Sequence, residues 1–316
     1  MRLTIVLGLA SATLLAAACG GDDDGGDGDG TQVDAAPGGN PGFPMPTAVT
    51  KANVKMNGVW TEAGDADWSC LGTPSTDAPS TQAITLSGKI EDFQTSAGVG
   101  GATVTAFPGI MLSGNSGQTT TSTVAADRGA YSINLAQLPS GTTRYGFKFE
   151  GAGYVKTYLL NQYIDPTNAT AMRDMAAVSE STATALPAFI GVSRDTTKGV
   201  LAGAMRDCQN REVSNAVATV SSVAGEASHL TGAKTFYFSA GSSSLPVRHN
   251  VSPTMNKDGL FVVLDLPPQT EPAFIQIWGF RNQAELTAGT LTLLSELAAP
   301  VEANAVITAS VEVKRQ

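Results

Sequence analysis

The sequence predicts an all-β protein built from two β-sandwiches, and three observations carry that expectation. First, Thr, Ser, Gly and Val are abundant while long Leu/Lys/Glu-rich stretches are scarce, a mixture that favours strands joined by turns. Second, turn residues recur at short intervals among alternating apolar runs. Third, the body of the chain contains an internal repeat, so whatever sandwich one copy forms, the other is expected to form as well.

The chain begins with Arg2, an apolar run from Leu3 to Ala17, and the small-residue exit Leu14-Leu15-Ala16-Ala17-Ala18 before Cys19. A charged start, a short apolar middle and small residues at the end make a secretory signal, too short to span a bilayer as a stable helix. A cysteine just after the small residues resembles the lipobox of bacterial lipoproteins, with Ala16 where that family more often has Leu. The resemblance implies cleavage after residue 18, a lipid on Cys19 and attachment to a membrane through that lipid. Gly20 follows the cysteine, where an Asp marks inner-membrane retention in some bacteria, so the resemblance points to the cell envelope and towards the outer membrane. The competing reading is a soluble secreted protein cut near Ala18.

Residues 19–47 form the next expected unit, a disordered acidic tether. Gly20 to Gly30 reads GGDDDGGDGDG, and more Gly, Pro and small residues follow. Nothing from Gly20 to Val33 can seed a core, so the segment cannot offset its ordering entropy. A coil of about 28 such residues reaches roughly 30 Å. A calcium loop would need an oxygen ligand at position 5 and Glu at position 12. Counted from Asp22, position 5 is Gly26 and the first Glu is Glu62, so no calcium or other metal is expected.

The whole chain carries a net charge of −9. Without Arg2 and the six tether aspartates (Asp22, Asp23, Asp24, Asp27, Asp29 and Asp34), 22 acidic residues face 18 basic ones, a net of −4. No Lys/Arg cluster stands out, so a phosphate-backbone footprint is missing and nucleic acid is not an expected partner. With Cys19 committed to lipid, Cys70 and Cys208 remain. In an oxidising envelope compartment such a pair invites a disulfide, with two buried free thiols as the alternative. A bridge would tie the segment before the first sandwich to the start of the second.

Residues 48–83, with Trp60, Trp68 and Cys70, are expected to be ordered and attached to a sandwich, without an assigned place. Residues 84–169 hold the first copy of the repeat. It reads Leu86-Ser-Gly88-Lys-Ile-Glu-Asp92, then Val99-Gly-Gly-Ala102-Thr-Val104. The second copy, within residues 198–316, reads Leu201-Ala-Gly203-Ala-Met-Arg-Asp207, then Val213-Ser-Asn-Ala216. Downstream, Asp127-Arg-Gly129-Ala-Tyr131 parallels Asp258-Gly259-Leu-Phe261, each followed by a proline turn at Pro139 or Pro267-Pro268 and then an alternating strand. Asp at a strand end caps the amides of its own turn. Gly within a strand lets a neighbouring chain approach. Residues 170–197 are expected to be a helical connector. Met172, Met175, Ala176, Ala185 and Leu186 supply its apolar positions, and Pro187 ends or kinks it.

These positions resemble the carboxypeptidase regulatory-like domain, a transthyretin-like, Ig-like sandwich. The matching residues are Gly88, Asp92, Val99, Ala102, Val104, Gly129, Tyr131, Gly141, Gly153 and Tyr154 in the first copy. In the second they are Gly203, Asp207, Val213, Ala216, Asp258, Gly259, Phe261 and Pro268. That copy has Gln269 in place of the Gly after the proline turn and lacks a closing Gly-Tyr. The resemblance implies a scaffold or binding module and no chemistry.

The residues able to carry chemistry agree with that reading. Gly114-Asn115-Ser116-Gly117 has a serine in a Gly-rich loop, yet the chain's histidines, His229 and His249, stand in the other copy, and a serine nucleophile needs a His base. Glu226-x-x-His229 has helix-type spacing for two metal ligands, but a zinc site wants three or four. No catalytic residue and no cofactor is therefore expected, and the chain is read as a non-enzyme. The expected function is a lipid-anchored envelope protein whose sandwiches bind or scaffold another envelope protein or a glycan. The alternative is a polysaccharide-binding accessory protein of an envelope enzyme, with Phe274, Trp278 and Tyr237 as candidate stacking aromatics.

Overall fold

The computed structural model describes residues 45–241, 245–248 and 250–315. The chain is all-β, as expected. An N-terminal hairpin, β1 (Lys51–Met56) and β2 (Val59–Asp65), turns on Asn57-Gly58, both at positive φ. The first repeat then supplies β3 (Ile84–Asp92), β4 (Thr103–Pro108), β5 (Gly117–Thr120), β6 (Ala130–Leu135), β7 (Tyr145–Glu150), β8 (Lys156–Gln162), β9 (Thr170–Met172) and β10 (Met175–Ala177). Helix α1 (Glu180–Ala188) joins it to the second repeat, which begins with β11 (Gly199–Met205), β12 (Glu212–Ser214), β13 (Val217–Ser221), β14 (Lys234–Phe238), β15 (Pro246–Val247) and β16 (Leu260–Leu266). The chain continues through β17 (Ala273–Gly279), α2 (Gln283–Ala288), β18 (Thr292–Ala299) and β19 (Ala305–Val311).

The repeat seen in the sequence recurs in the pairing. β3 pairs antiparallel with β6, as β11 does with β16. β4 and β7 pair as β13 and β17 do, and β7 and β8 as β17 and β18 do. Even the turns correspond. Ile90 N–H donates to Gly129 O at 2.8 Å, and Met205 N–H to Gly259 O at 3.0 Å. Asp92 Oδ1 accepts from the amides of Gln94 and Thr95, and Asp207 Oδ1 from those of Gln209 and Arg211. Each copy closes with a strand parallel to its first: β9 and β10 beside β3, β19 beside β11.

The two sandwiches nevertheless share a sheet. A nine-stranded sheet runs β15-β14-β16-β11-β19-β8-β7-β4-β5, and β19 joins its halves by pairing parallel to β11 on one side and β8 on the other. Smaller sheets complete each sandwich: β10-β3-β6 with β9 for the first repeat, and β13-β17-β18 for the second. Register places their cores on opposite faces. Tyr158 and Leu160 lie beside Ile307 and Ala309 in the core of the second repeat. Their neighbour Leu159 pairs with Phe147, which belongs to the core of the first. Side chains alternate across a strand, so the shared sheet serves one core above and one below.

Three expectations change here. Residues 48–83 acquire a place: β1 pairs with β12 and Ala52 enters the second core, so the N-terminal hairpin belongs to the second repeat. The helical connector of 170–197 is helical over 180–188 alone. Residues 170–177 instead form β9 and β10, because the edge of β3 offers unpaired backbone groups and Met175 and Ala177 turn inward with period two. The closing strand of the first repeat thus lies beyond its expected limit at residue 169. Finally, α2 lies within residues 198–316, expected to be a β-sandwich, and is set by Asn282 accepting from Glu285 N–H and by Gly289 in the left-handed conformation.

Candidate functional site

The expected signal at 1–18, Cys19 and nearly all of the tether lie outside the described residues, as does His249. Cys70 and Cys208 form a disulfide, with S–S 2.01 Å and Cα–Cα 5.8 Å across 138 residues of sequence. A polar knot surrounds it. Asp207 is buried, and its Oδ2 accepts from Asp67 N–H and pairs with Arg211 at 2.6 Å. Asp67 Oδ2 accepts from Gln209 Nε2 and Asp67 O from Cys208 N–H. Hydrogen bonds, first from Ser69, hold the Asp67 carboxyl below its ordinary range. The knot lashes the segment after the N-terminal hairpin to the first turn of the second repeat.

The other sequence candidates are committed to packing. His229 accepts from Val220 N–H through Nδ1 at 3.1 Å, and its Nε2 lies 3.2 Å from Ala233 O, so both ring nitrogens are engaged by backbone. No group of three His, Cys, Asp or Glu converges as a metal set among the described residues. Ser116 is buried and its N–H donates to Ala106 O, while Asn115 Oδ1 accepts from Gly117 N–H in a side-chain-capped turn. Tyr237 and Trp278 are buried too, with Tyr237 Oη accepting from Ala218 N–H and Trp278 Nε1 donating to Gln276. Those two aromatics belong to the interior, which removes them as a stacking platform for sugar; Phe274 alone of the three is partly exposed.

Two concavities escaped the sequence reading. One is an apolar cavity of about 90 Å³ between α1 and the shared sheet, lined by Ala183, Leu186, Val200, Val262, Leu264 and Val306 among others. Its one polar lining residue, Thr308, spends its hydroxyl on Tyr158 O. The other is a polar cleft of about 220 Å³ where the repeats meet, lined by Asn161, Gln162, Arg173, Arg206, Asn210 and Glu312 with their neighbours. No helix among the described residues is long and apolar enough to cross a membrane.

No protein-family model and no curated protein matches this chain. Solved structures overlap it weakly. The shaft pilin SpaA from Lactobacillus rhamnosus GG is 11% identical, covering 74% of this chain and 98% of its own, with a TM-score of 0.21. The 3-chlorocatechol 1,2-dioxygenase from Rhodococcus opacus 1CP is 12% identical over 41% of this chain and 72% of its own, at a TM-score of 0.21. A 9R-lipoxygenase from Cyanothece PCC8801 is 9% identical over 35% of this chain, which spans 19% of that enzyme, at 0.22. Likeness at this level carries no argument about function.

Proposed function

We propose that this protein is a lipid-anchored component of a bacterial cell envelope whose fused sandwiches bind or scaffold another envelope component without catalysis. The observation that carries the reading is the Cys70–Cys208 disulfide. A stable bridge of this kind belongs to an oxidising compartment, the destination that the N-terminal signal specifies. It also uses every cysteine of the chain except Cys19, which is free for acylation. The shared sheet gives the body one continuous frame. The outer membrane is the favoured site because Gly20 follows the acylated residue.

Mass spectrometry of the mature N-terminus tests the anchor. The expected product begins at a diacylglyceryl-modified Cys19 and partitions into detergent, and Cys19→Ser releases the protein into the soluble fraction. A Cys19→Ser protein that stays as firmly membrane-bound as the parent refutes the reading.

A further inference from the structure

The polar cleft occupies a particular place in the sheet. β8, β19 and β11 are its three mutually parallel strands, and their carboxyl ends, Gln162, Val311 and Met205, finish side by side. A crevice beyond the carboxyl ends of parallel strands is where open sheets commonly hold ligands, because several chains leave together and open a gap. This gap exists only because the repeats share a sheet, and each repeat brings one arginine to it.

Arg173 comes from the first repeat. Its backbone answers to the fold: its carbonyl accepts from Tyr131 Oη at 2.7 Å and crosses over Gly88. The equivalent carbonyl in the second repeat, over Gly203, is that of Ala309, within an unbroken strand. In the first repeat the closing strand breaks between Met172 and Met175, and Arg173 carries a guanidinium where the fold needs only a methyl group. That group donates to Gln162 Oε1 and Tyr163 O and forms no salt bridge among the described residues, with the Glu312 charge acting on it through the cleft. Burial draws its pKa below the ordinary arginine value. Arg206, just past the end of β11, donates its backbone N–H to Val311 O and its Nε to Glu212 Oε1 at 3.3 Å, and its other guanidinium N–H groups show no hydrogen-bond partner among the described residues. An arginine has five N–H donors, so most of both forks are left for a ligand. Glu312, paired with Arg144, lines the same cleft with Asn161 and Asn210.

We propose that this cleft binds a small carboxylate, with the guanidinium groups of Arg173 and Arg206 clamping the acid and Glu312 accepting from an N–H or O–H on the same ligand. Planar guanidinium forks match carboxylate oxygens pairwise. A volume of about 220 Å³ holds roughly seven waters, so the cleft admits one acid-bearing unit at a time. That unit is the end of a peptide or one sugar acid. The inference does not depend on acylation of Cys19.

Titration calorimetry on the full chain in detergent tests it, with N-acetylalanine, its amide, and galacturonate as probes. The expected result is that at least one acid binds, and that N-acetylalaninamide binds at least tenfold more weakly than N-acetylalanine or not at all. The stronger acid then separates a peptide end from a sugar. Arg206→Gln is expected to weaken binding at least tenfold, and Arg173→Gln to do the same. Arg281→Gln, just ahead of the cap of α2, leaves binding unchanged. Arg173 also orders Gln162, so Arg206→Gln decides the matter should Arg173→Gln melt early. Acid and amide binding equally well, Arg206→Gln binding like the parent, or neither acid binding up to about 10 mM would each overturn the proposal.

Discussion

Gly88 and Gly203 occupy one position of the repeat, and their surroundings differ in a way that sets the cost of any side chain there. A Cβ on Gly88 would lie 1.9 Å from Arg173 O, a backbone atom held by the Tyr131 hydroxyl. At Gly203 the nearest atoms would be the Phe261 ring at 2.8 Å and Ala309 O at 3.1 Å, and a ring can tilt. Gly88→Ala is therefore expected to cost on the order of 3 kcal/mol, and Gly203→Ala about half of that, read from urea midpoints at unchanged m-value. Asp258 gives a pH test. It is 1% exposed, its Oδ2 has no hydrogen-bond partner, and burial above all raises its carboxyl from 3.8 to about 7. The folded state thus holds a proton that the unfolded state releases near pH 4. Stability is expected to fall as pH rises from about 4 through 7, and to stay lower above that. Asp258→Asn keeps an oxygen to accept from Leu260 N–H and carries no charge. It should flatten this profile and stabilise the protein by on the order of 2 kcal/mol at pH 8, measured by denaturation at pH 5 and pH 8. These glycines and aspartates were visible in the sequence, because each answers to a turn or a close approach within its own motif. What filled the space around them was not.

Elements were legible to the degree that local residues dictate them. The strands of the repeat follow from period two and their Asp and Gly turns. Helix α1 follows from Ser179, which caps it, and from Pro187 near its end. Residues 170–177 have apolar spacing compatible with a helix, and the open edge of β3 decided for strand. Helix α2 left a signal that could have been used, Asn282 three residues before Glu285 with Gly289 beyond. The disulfide was reachable by counting cysteines and naming a compartment; the aspartate–arginine knot around it was not. Because the bridge closes a long loop, Cys70→Ser together with Cys208→Ser is expected to lower stability by about 3 to 5 kcal/mol. Urea denaturation of the double variant checks this, and a loss within error of zero would remove the bridge as a stabilising element.

On the scale of the molecule, β19 holds the chain together. It is the last strand of the second repeat and the seam between both halves of the sheet, and it adds Ile307 and Val311 to the second core. With so much backbone shared, the repeats are expected to unfold together. Tryptophan fluorescence should follow the second repeat, to which Trp68 and Trp278 belong. Far-UV circular dichroism follows all strands, and the two transitions should coincide. Deleting residues 305–316 should abolish the joint transition, and a surviving independent first repeat would contradict the seam.

The sequence by itself determined that this chain is all-β, where its repeats begin and which turns they use. Each of these depends on residue types within a few positions. Only the tertiary structure decided that the sandwiches share a sheet, that their cores lie on opposite faces, and that Arg173 and Arg206 meet in one cleft. The physical reason is that strand edges pair through backbone N–H and C=O groups, which are alike at every residue. Side chains can mark a segment as a strand, but which edge it joins is settled by what the folded chain brings within reach.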